Sequence, residues 1–404
     1  MGGDTKKDPD GFTPGIYGVL GQQDPANVPG SRQQSATWAD SAGNVWLFGG
    51  LGADANGEDG DLNDFWKFDP SANEWTWVGG SDVMTFVREW PVGKGVYGAL
   101  GVSSPRNIPE GRDAAAFAYD GQDRLWLFGG SSVDPGTRIG CCGTYNDLWA
   151  FDLSTHEWTW MSGAKVCCHP GSYGTLGQAG RTNSPDARSY AASWSDDEGN
   201  FWLFGGYSDW NQGQGRYYLL NNLWKFDAAK REWVWADGRS HPGSDCIRYG
   251  YDNYNFRYNY ICGWPGTYGA MGVFAPANIP GSREKAISWK DTSGHFWLFG
   301  GWGVDVHGAF GYLNDLWVFD LRSMEWAWMG GSSEKGADGV YGVKGTPSPN
   351  NVPGARTAGN WWVDRDNHLW IFGGTGRDAT GHVGALSDLW EYLPSPLTPA
   401  AALP

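Results

Sequence analysis

Short apolar runs alternate with polar clusters along the whole chain, and one of these runs recurs nearly unchanged. Its five copies read VWLFGG, LWLFGG, FWLFGG, FWLFGG and LWIFGG, and they begin at Val45, Leu125, Phe201, Phe296 and Leu369. The runs are rich in aromatic and branched residues, and clusters of Gly, Asp, Asn and Pro separate them, which is typical of strands and not of helices. The pattern therefore predicts an all-β chain of short strands.

The recurring run defines a repeat of about 75 residues. Its last aromatic residue stands at 48, 128, 204, 299 and 372, so the intervals are 80, 76, 95 and 73 residues. We number the repeats 1 to 5 in chain order. They span about residues 15–81, 95–163, 171–238, 266–332 and 339–393, and residues 394–404 form a proline-rich tail or linker. Four runs joined by tight polar turns predict that each repeat is a four-stranded antiparallel meander.

One such sheet cannot bury both of its apolar faces alone. We therefore expect the five sheets to stack radially as a β-propeller, each Trp-rich face covered by the next sheet. The two glycines of the recurring run are expected to end the second strand, where the backbone turns sharply. Repeat 5 stops after DLWEYL without a fourth run. Its blade could thus stay three-stranded, belong to a longer precursor, or be completed by another segment or subunit.

The frame of each repeat resembles a known family. A glycine doublet follows an apolar strand, then comes NDFWKFD or NDLWVFD, and a Trp follows about nine residues later. This arrangement resembles the Kelch repeat, and in particular the long, Trp-rich Kelch units of secreted microbial proteins. The resemblance covers Gly15 to Leu393. It implies a propeller, but Kelch propellers include enzymes, adhesins and protein-binding platforms alike, so it does not select a function.

Charge and composition argue against some classes of binding partner. The chain has 29 basic and 45 acidic residues, a formal net charge of −16. A surface this acidic repels nucleic acid and anionic lipid. No run approaches the ~18 apolar residues of a membrane span. We therefore expect neither nucleic-acid binding nor membrane insertion.

Connectivity places the long loops on one side of every sheet. If strands alternate in direction, the connections from second to third strand and the crossovers between repeats share one side, which we call the long-loop face. All six cysteines are predicted to lie there, in loops and outside the strands. We expect a Cys246–Cys262 disulfide, and bridges between the doublets Cys141/Cys142 and Cys167/Cys168. This cysteine usage favours an extracellular or cell-surface location over a cytosolic one.

Three groups of residues are candidate sites on this face. An arginine opens the first strand of each repeat, and such a ring could bind an anion bidentately or pair with the Asp residues of the third strands. An aromatic insert between Cys246 and Cys262 could bind a ligand or cover the sheets, and Trp302 is a further aromatic candidate. The candidate ligand-binding residues are Arg32, Arg112, Arg188, Arg283, Arg356, Tyr251, Tyr254, Phe256, Tyr258, Tyr260 and Trp302.

The loop DANGEDGD loosely resembles a calcium-binding loop, with oxygen ligands at Asp54, Asn56, Asp59 and Asp61. It lacks the full pattern and the distal Glu, so Asx turns are the alternative and no cofactor is the favoured expectation.

Catalysis has little support in the sequence. The seven histidines are scattered, and no nucleophile elbow or phosphate loop is present. We therefore expect a secreted, non-catalytic binding module or scaffold that recognises a glycan or protein through the long-loop face. The first alternative is a structural subunit of an extracellular assembly or filament that uses the open blade. The second is a carbohydrate-active enzyme with a carboxylate pair.

Overall fold

The computed structural model describes residues 12–87, 90–133, 142–209, 216–241, 243, 245–252 and 257–394. Over these ranges the chain is all-β and forms several small, mostly antiparallel sheets. In the described part of the chain, no helix is long and apolar enough to cross a lipid bilayer.

The repeats form sheets of the predicted kind. The four strands of repeats 1 and 2 are Ala36–Ala39, Val45–Ala53, Asp59–Asp69 and Glu74–Gly79, then Ala116–Tyr119, Arg124–Phe128, Leu148–Asp152 and Glu157–Ser162. Those of repeats 3 and 4 are Ala192–Ser195, Phe201–Phe204, Leu223–Asp227 and Glu232–Asp237, then Ile287–Lys290, Phe296–Val304, Phe310–Asp320 and Glu325–Gly330. In repeat 5 three strands pair, namely Asn360–Val363, Leu369–Phe372 and Leu389–Tyr392.

Shorter strands extend these sheets or pair with one another, mainly in the long loops and crossovers. They are Gln23–Asp24, Arg32–Gln33, Thr85–Val87, Trp90–Val92, Ser131–Val133, Cys142–Thr144, Ala179–Gly180, Tyr207–Ser208, Arg216–Leu219, Asp245–Asp252, Arg257–Gly263, Arg283–Glu284, Arg356–Thr357, Thr375–Arg377 and Val383–Ala385. The aromatic insert is thus a hairpin, and its second strand pairs in parallel with Arg216–Leu219 in the long loop of repeat 3.

The glycine doublet ends the second strand in repeats 2, 3 and 5, but the prediction is wrong for repeats 1 and 4. There the strand continues through the doublet to Ala53 or Val304. Gly49 and Gly50 have φ values of 59° and 98°, which glycine adopts without strain. The ladder shifts register between Phe48 and Gly50 and then resumes. The long loop therefore extends the same hairpin beyond an irregularity.

Neighbouring sheets pack face to face through aromatic cores. Because side chains alternate across a strand, Trp46 and Phe48 of repeat 1 face repeat 2, where Leu125 and Leu127 meet them. Equivalent cores join repeat 2 to 3, 3 to 4 and 4 to 5. Burial of these rings is the main stabilising contribution.

A ladder of backbone hydrogen bonds also links the repeats at the start of the first strands. In four steps, the amide of the second residue after each arginine donates to the equivalent carbonyl of the preceding repeat, at 2.9–3.2 Å. These residues have left-handed φ values of 52–60°, and they are Gln34, Ala114, Tyr190, Lys285 and Ala358. Among the described residues, no such bond joins Gln34 to Ala358. The junction between repeats 5 and 1 therefore differs from the other four.

Candidate functional site

The five arginines are held inside the protein by partners in their own repeats. Arg112 donates two hydrogen bonds to Asp147, at 2.6 and 2.8 Å, and one to the carbonyl of Gly129 at 2.8 Å. The same bidentate pairing occurs between Arg32 and Asp64, Arg283 and Asp315, and Arg356 and Asp388. Each arginine thus ties the start of the first strand to the third strand and to the glycine doublet.

Repeat 3 replaces this aspartate with an amide and adds a carboxylate elsewhere. Arg188 donates to Asn222 Oδ1 at 2.6 Å, and its other terminal nitrogen lies 3.6 Å from Asp186. The hydroxyl of Tyr173 donates a short hydrogen bond to Asp186, whereas the equivalent Tyr17 donates to Asp64. A carboxyl group therefore stays next to the buried guanidinium, although it comes from the crossover and not from the third strand.

These partners leave the arginines structural in the geometry observed here. The side chains of Arg112, Arg188 and Arg356 are 0% exposed, so their charge does not face solvent. Anion binding by the arginines stays a prediction, and it would require breaking buried ion pairs.

Residues that follow the arginines line a cavity of about 350 Å³, which we call the central cavity. All five repeats contribute to its lining, mostly through the residues that follow each arginine. The lining comprises Gln34, Ser35, Ala114, Ala115, Phe117, Tyr190, Ala191, Lys285, Ala286, Ile287, Ala358, Gly359 and Trp361. The first strands start at the long-loop face, so the cavity begins on the side where function was expected.

The polar part of the cavity is a small cluster around one tyrosine. The hydroxyl of Tyr190 donates to Gln34 Oε1 at 2.7 Å, across repeats 3 and 1. The Lys285 ammonium lies 4.1 Å from the centroid of the Tyr190 ring, close enough for a cation–π interaction. Phe117 and Trp361 add aromatic surface. The cavity therefore combines flat apolar contacts with a few hydrogen-bonding groups, as ligand sites usually do.

Two acidic residues, Asp113 and Glu284, lie close enough to Tyr190 to act on it electrostatically. Asp113 directly precedes the cavity residue Ala114. Burial raises the pKa of Asp113 to about 7, the neighbouring Asp61 carboxylate adds to the increase, and Lys285 opposes it. Burial likewise raises the pKa of Glu284 above its usual value. A half-neutral carboxyl near pH 7 could donate or accept a proton at the cavity.

Asp113 should make stability depend on pH in a defined direction. Its pKa rises from 3.8 to about 7 on folding, so the folded state holds a proton that the unfolded chain releases. This stabilisation is complete below about pH 4 and is lost as the pH rises through 7. We expect Asp113→Asn to lose less unfolding free energy than the wild type between about pH 4 and pH 8. Urea unfolding across this range measures both, and parallel pH profiles would contradict the assignment.

The proposed calcium ligands form a tightly capped loop. Asp54 is 0% exposed, and its carboxylate accepts the backbone amides of Asn56, Glu58 and Met84 at 2.8–3.0 Å. Asp61 accepts Trp90 Nε1 and Ser132 Oγ. The two bonds from Asn56 and Glu58 to Asp54 are those of an Asx-type turn, and the other bonds tie the loop to more distant segments. Calcium binding here stays a prediction.

The aromatic insert is anchored at its base. Cys246 and Cys262 form the predicted disulfide and face each other in the hairpin. Ile261 is buried with Leu219, Val304 and Phe310, and Trp302 packs at the edge of this cluster. The side chains of the remaining candidates fall outside the described residues, except for the half-buried Tyr260; they are Tyr251, Tyr254, Phe256 and Tyr258.

The prediction that all cysteines lie in loops, outside the strands, is wrong for three of them. Cys142, Cys246 and Cys262 lie in strands, because the long loops and crossovers themselves pair. Cys141 and the Cys142 side chain lie outside the described residues, so bridges between the two doublets stay a prediction. The backbone does bring the doublets together, since the Cys168 amide donates to the Thr144 carbonyl at 2.7 Å.

One further group of possible metal ligands occurs among the described residues. Asp364, His368 and Glu391 have ligand atoms within 4.8 Å of one another. The His368 ring lies 2.9 Å from Glu391 and 3.6 Å from Asp364, so contacts among the three side chains themselves account for the group.

Sequence reasoning missed the cavity residues Gln34, Tyr190 and Lys285, as well as Asp113. Their position after each arginine is the one available signal, but residue type varies there. Comparison with known proteins gives no independent identification, because no family model matches the chain and no curated protein matches it either.

Proposed function

We propose that the chain is a binding module in which the five sheets are the blades of a Kelch-like β-propeller. The observation that carries the proposal is the central cavity, to which all five repeats contribute residues. Consecutive aromatic cores and the hydrogen-bond ladder between repeats support a radial order of the sheets. The disulfide supports an extracellular location.

The ligand that best fits the cavity is a glycan. The lining offers the rings of Tyr190, Phe117 and Trp361 for the apolar face of a sugar, and it offers amide, hydroxyl and ammonium groups for the sugar hydroxyls. Ligand binding at the mouth of a rigid scaffold needs little ordering, because the ladder already fixes the backbone. Further glycan units would extend over the long-loop face.

We expect Tyr190→Ala to weaken glycan binding at least ~10-fold, a loss of about 1.4 kcal/mol. The variant removes the ring, its hydrogen bond to Gln34 and the platform for Lys285. It should fold, since alanine already occupies the equivalent left-handed position at Ala114 and Ala358. A glycan array identifies the ligand, and calorimetry then measures its affinity.

The control is Met324→Ala, an exposed residue in the turn between third and fourth strands, on the side opposite the long-loop face. It should bind like the wild type. Equal affinities of Tyr190→Ala and the wild type would move the binding site away from the cavity.

The raised pKa values of Asp113 and Glu284 favour a second candidate, a carbohydrate-active enzyme in which Asp113 is the general acid. The two functions are separated by incubating each glycan that binds, once with the wild type and once with Asp113→Asn, and analysing the products. Products formed by the wild type and absent with the variant would identify an enzyme, whereas binding without products identifies a binding module.

A further inference from the structure

In repeats 1 to 4 the fourth strand is held from both sides. The third strand pairs with one edge, and the crossover that precedes the repeat donates hydrogen bonds to the other edge. Each of these fourth strands begins with Glu-Trp-x-Trp, which we call the E-W-x-W segment. An asparagine side chain donates to the carbonyl of its first Trp at 2.9–3.1 Å, as Asn27, Asn107, Asn183 and Asn278 do. A glycine amide donates to the carbonyl of the second Trp at 2.7–2.8 Å, as Gly21, Gly101, Gly177 and Gly272 do.

A tyrosine from the same crossover also contacts the fourth strand. Together the asparagine, the glycine and the tyrosine form a groove that holds this strand. Its ring lies 4.7–4.9 Å from the third-strand Trp and meets the second Trp of E-W-x-W edge-on at 5.3–5.4 Å. Tyr17, for example, lies between Trp66 and Trp77 and is 5% exposed. In repeats 2 to 4 the first Trp packs on the preceding repeat, as Trp158 does on Phe48 at 5.5 Å.

Repeat 5 keeps these receiving groups in the same conformation. Tyr341 lies 4.9 Å from Trp390, as in the other repeats, but it is 37% exposed. Gly345 has a φ of 75°, against 73–77° for its four equivalents. Asn351 donates to the Thr346 carbonyl at 3.0 Å, which matches the other bond of its equivalents.

In repeats 1 to 4 the carbonyl acceptors belong to the fourth strand. For repeat 5, the described part of the chain supplies no such acceptors. Over those ranges no carbonyl accepts from the Gly345 amide, and the only bond from Asn351 Nδ2 is the one to Thr346. The strand Leu389–Tyr392 pairs with Leu369–Phe372 on one edge and with no described strand on the other. Unpaired strand edges of this kind readily accept another strand.

We propose that repeat 5 is a strand-binding groove whose occupant is an extended segment of a partner polypeptide with Trp at alternate positions. Four E-W-x-W segments occur in this chain, and all four are already paired within repeats 1 to 4. The occupant is therefore defined by an interface that the protein builds four times.

The groove fixes the mode of binding. The partner strand would run antiparallel to Leu389–Tyr392, with its second Trp opposite Trp390, as Trp77 lies opposite Trp66. Backbone hydrogen bonds would supply affinity, and the exposed ring of Tyr341 would contact the second Trp of the partner, as Tyr17 contacts Trp77. This site is separate from the central cavity and does not depend on the proposed glycan binding.

The test uses the full chain and a fluorescein-labelled peptide with the sequence MEWAWMGGSS, which is residues 324–333. We expect saturable binding by fluorescence anisotropy, and protection of the Gly345 and Leu389–Tyr392 amides in hydrogen exchange. Tyr341→Ala should weaken binding at least ~10-fold, whereas Tyr341→Phe, which keeps the ring, should stay within about twofold of the wild type. Thr346→Ala keeps the backbone acceptor of Asn351 and is the matched control, with unchanged affinity.

Three outcomes would overturn the proposal. The first is equal binding of a peptide in which both Trp residues are Ala. The second is wild-type affinity of Tyr341→Ala, whose fold is checked by near-UV circular dichroism. The third is concentration-dependent self-association that protects the same amides and that the peptide does not displace, which would make a second copy the occupant.

Discussion

Arg112→Ala is expected to lower the free energy of unfolding by about 3–5 kcal/mol, because it leaves Asp147 buried without its counter-ion. Both side chains are 0% exposed, and the pair is bidentate. The hydroxyl of Tyr97 and the indole of Trp149 also donate to Asp147 at 2.7 Å, so the charge has no route to solvent without breaking the core. Urea unfolding at pH 7 measures the loss.

The matched control is Arg106→Ala, an exposed arginine in the same crossover, which should change the free energy by less than about 0.5 kcal/mol. Asp147→Asn should cost less than Arg112→Ala, because repeat 3 already pairs Arg188 with Asn222. Arg112→Ala and Arg106→Ala of equal stability would mean that the pair is solvated in solution.

The strands and their pairing could be predicted from sequence because the repeat presents the same pattern five times. The alternation of apolar residues fixes which face of a strand is buried, and the polar turns fix the hairpins. The pairing of arginine with the third-strand aspartate was one of two predicted alternatives, and it is the one observed in four repeats. Local spacing alone could not choose between them, because the choice depends on burial.

The central cavity could not be predicted for a related reason. Its residues share a backbone conformation and not a side-chain type, since Gln34, Tyr190 and Lys285 adopt the same left-handed φ as two alanines. Such conformations are uncommon for residues other than Gly, Asn and Asp, so propensity gives no warning of them. They are held in place by the ladder between repeats, which is a long-range feature of the fold.

Repeat 5 shows most clearly where sequence similarity and structure separate. Its recurring run, its arginine, and Tyr341 and Gly345 of its crossover match those of the other repeats. The face of its sheet that points away from repeat 4 is nevertheless exposed to solvent, with Trp362 44%, Phe372 42% and Leu389 54% exposed. Gly373 also lacks the close carbonyl of a following repeat, whereas Arg356 O lies 2.8 Å from a Cβ placed on Gly300. Equivalent residues should therefore contribute different amounts to the free energy of unfolding in repeats 4 and 5.

This difference can be measured with one substitution made at two equivalent positions. Asn278→Ala in repeat 4 is expected to cost about 2–4 kcal/mol, because it removes a buried hydrogen bond to the Trp326 carbonyl and a part-buried one to the Val273 carbonyl. The Trp326 carbonyl then keeps only the Ala275 amide, at 3.4 Å. Asn278 is 3% exposed and donates to Val273 and Trp326, both at 2.9 Å. Asn351→Ala in repeat 5 should cost only about 1 kcal/mol, because its single bond to Thr346 is exposed to water.

Urea unfolding of the two variants gives the comparison directly. Adding a saturating W-x-W peptide should enlarge the cost of Asn351→Ala, because Asn351 Nδ2 then has a second acceptor to lose, whereas the cost of Asn278→Ala should not change. Equal costs without peptide would mean that the groove of repeat 5 is already filled in solution, so that the open edge is not available to a partner. A difference of the expected size would instead mean that the fourth strand, and not the asparagine itself, determines how much this position contributes to stability.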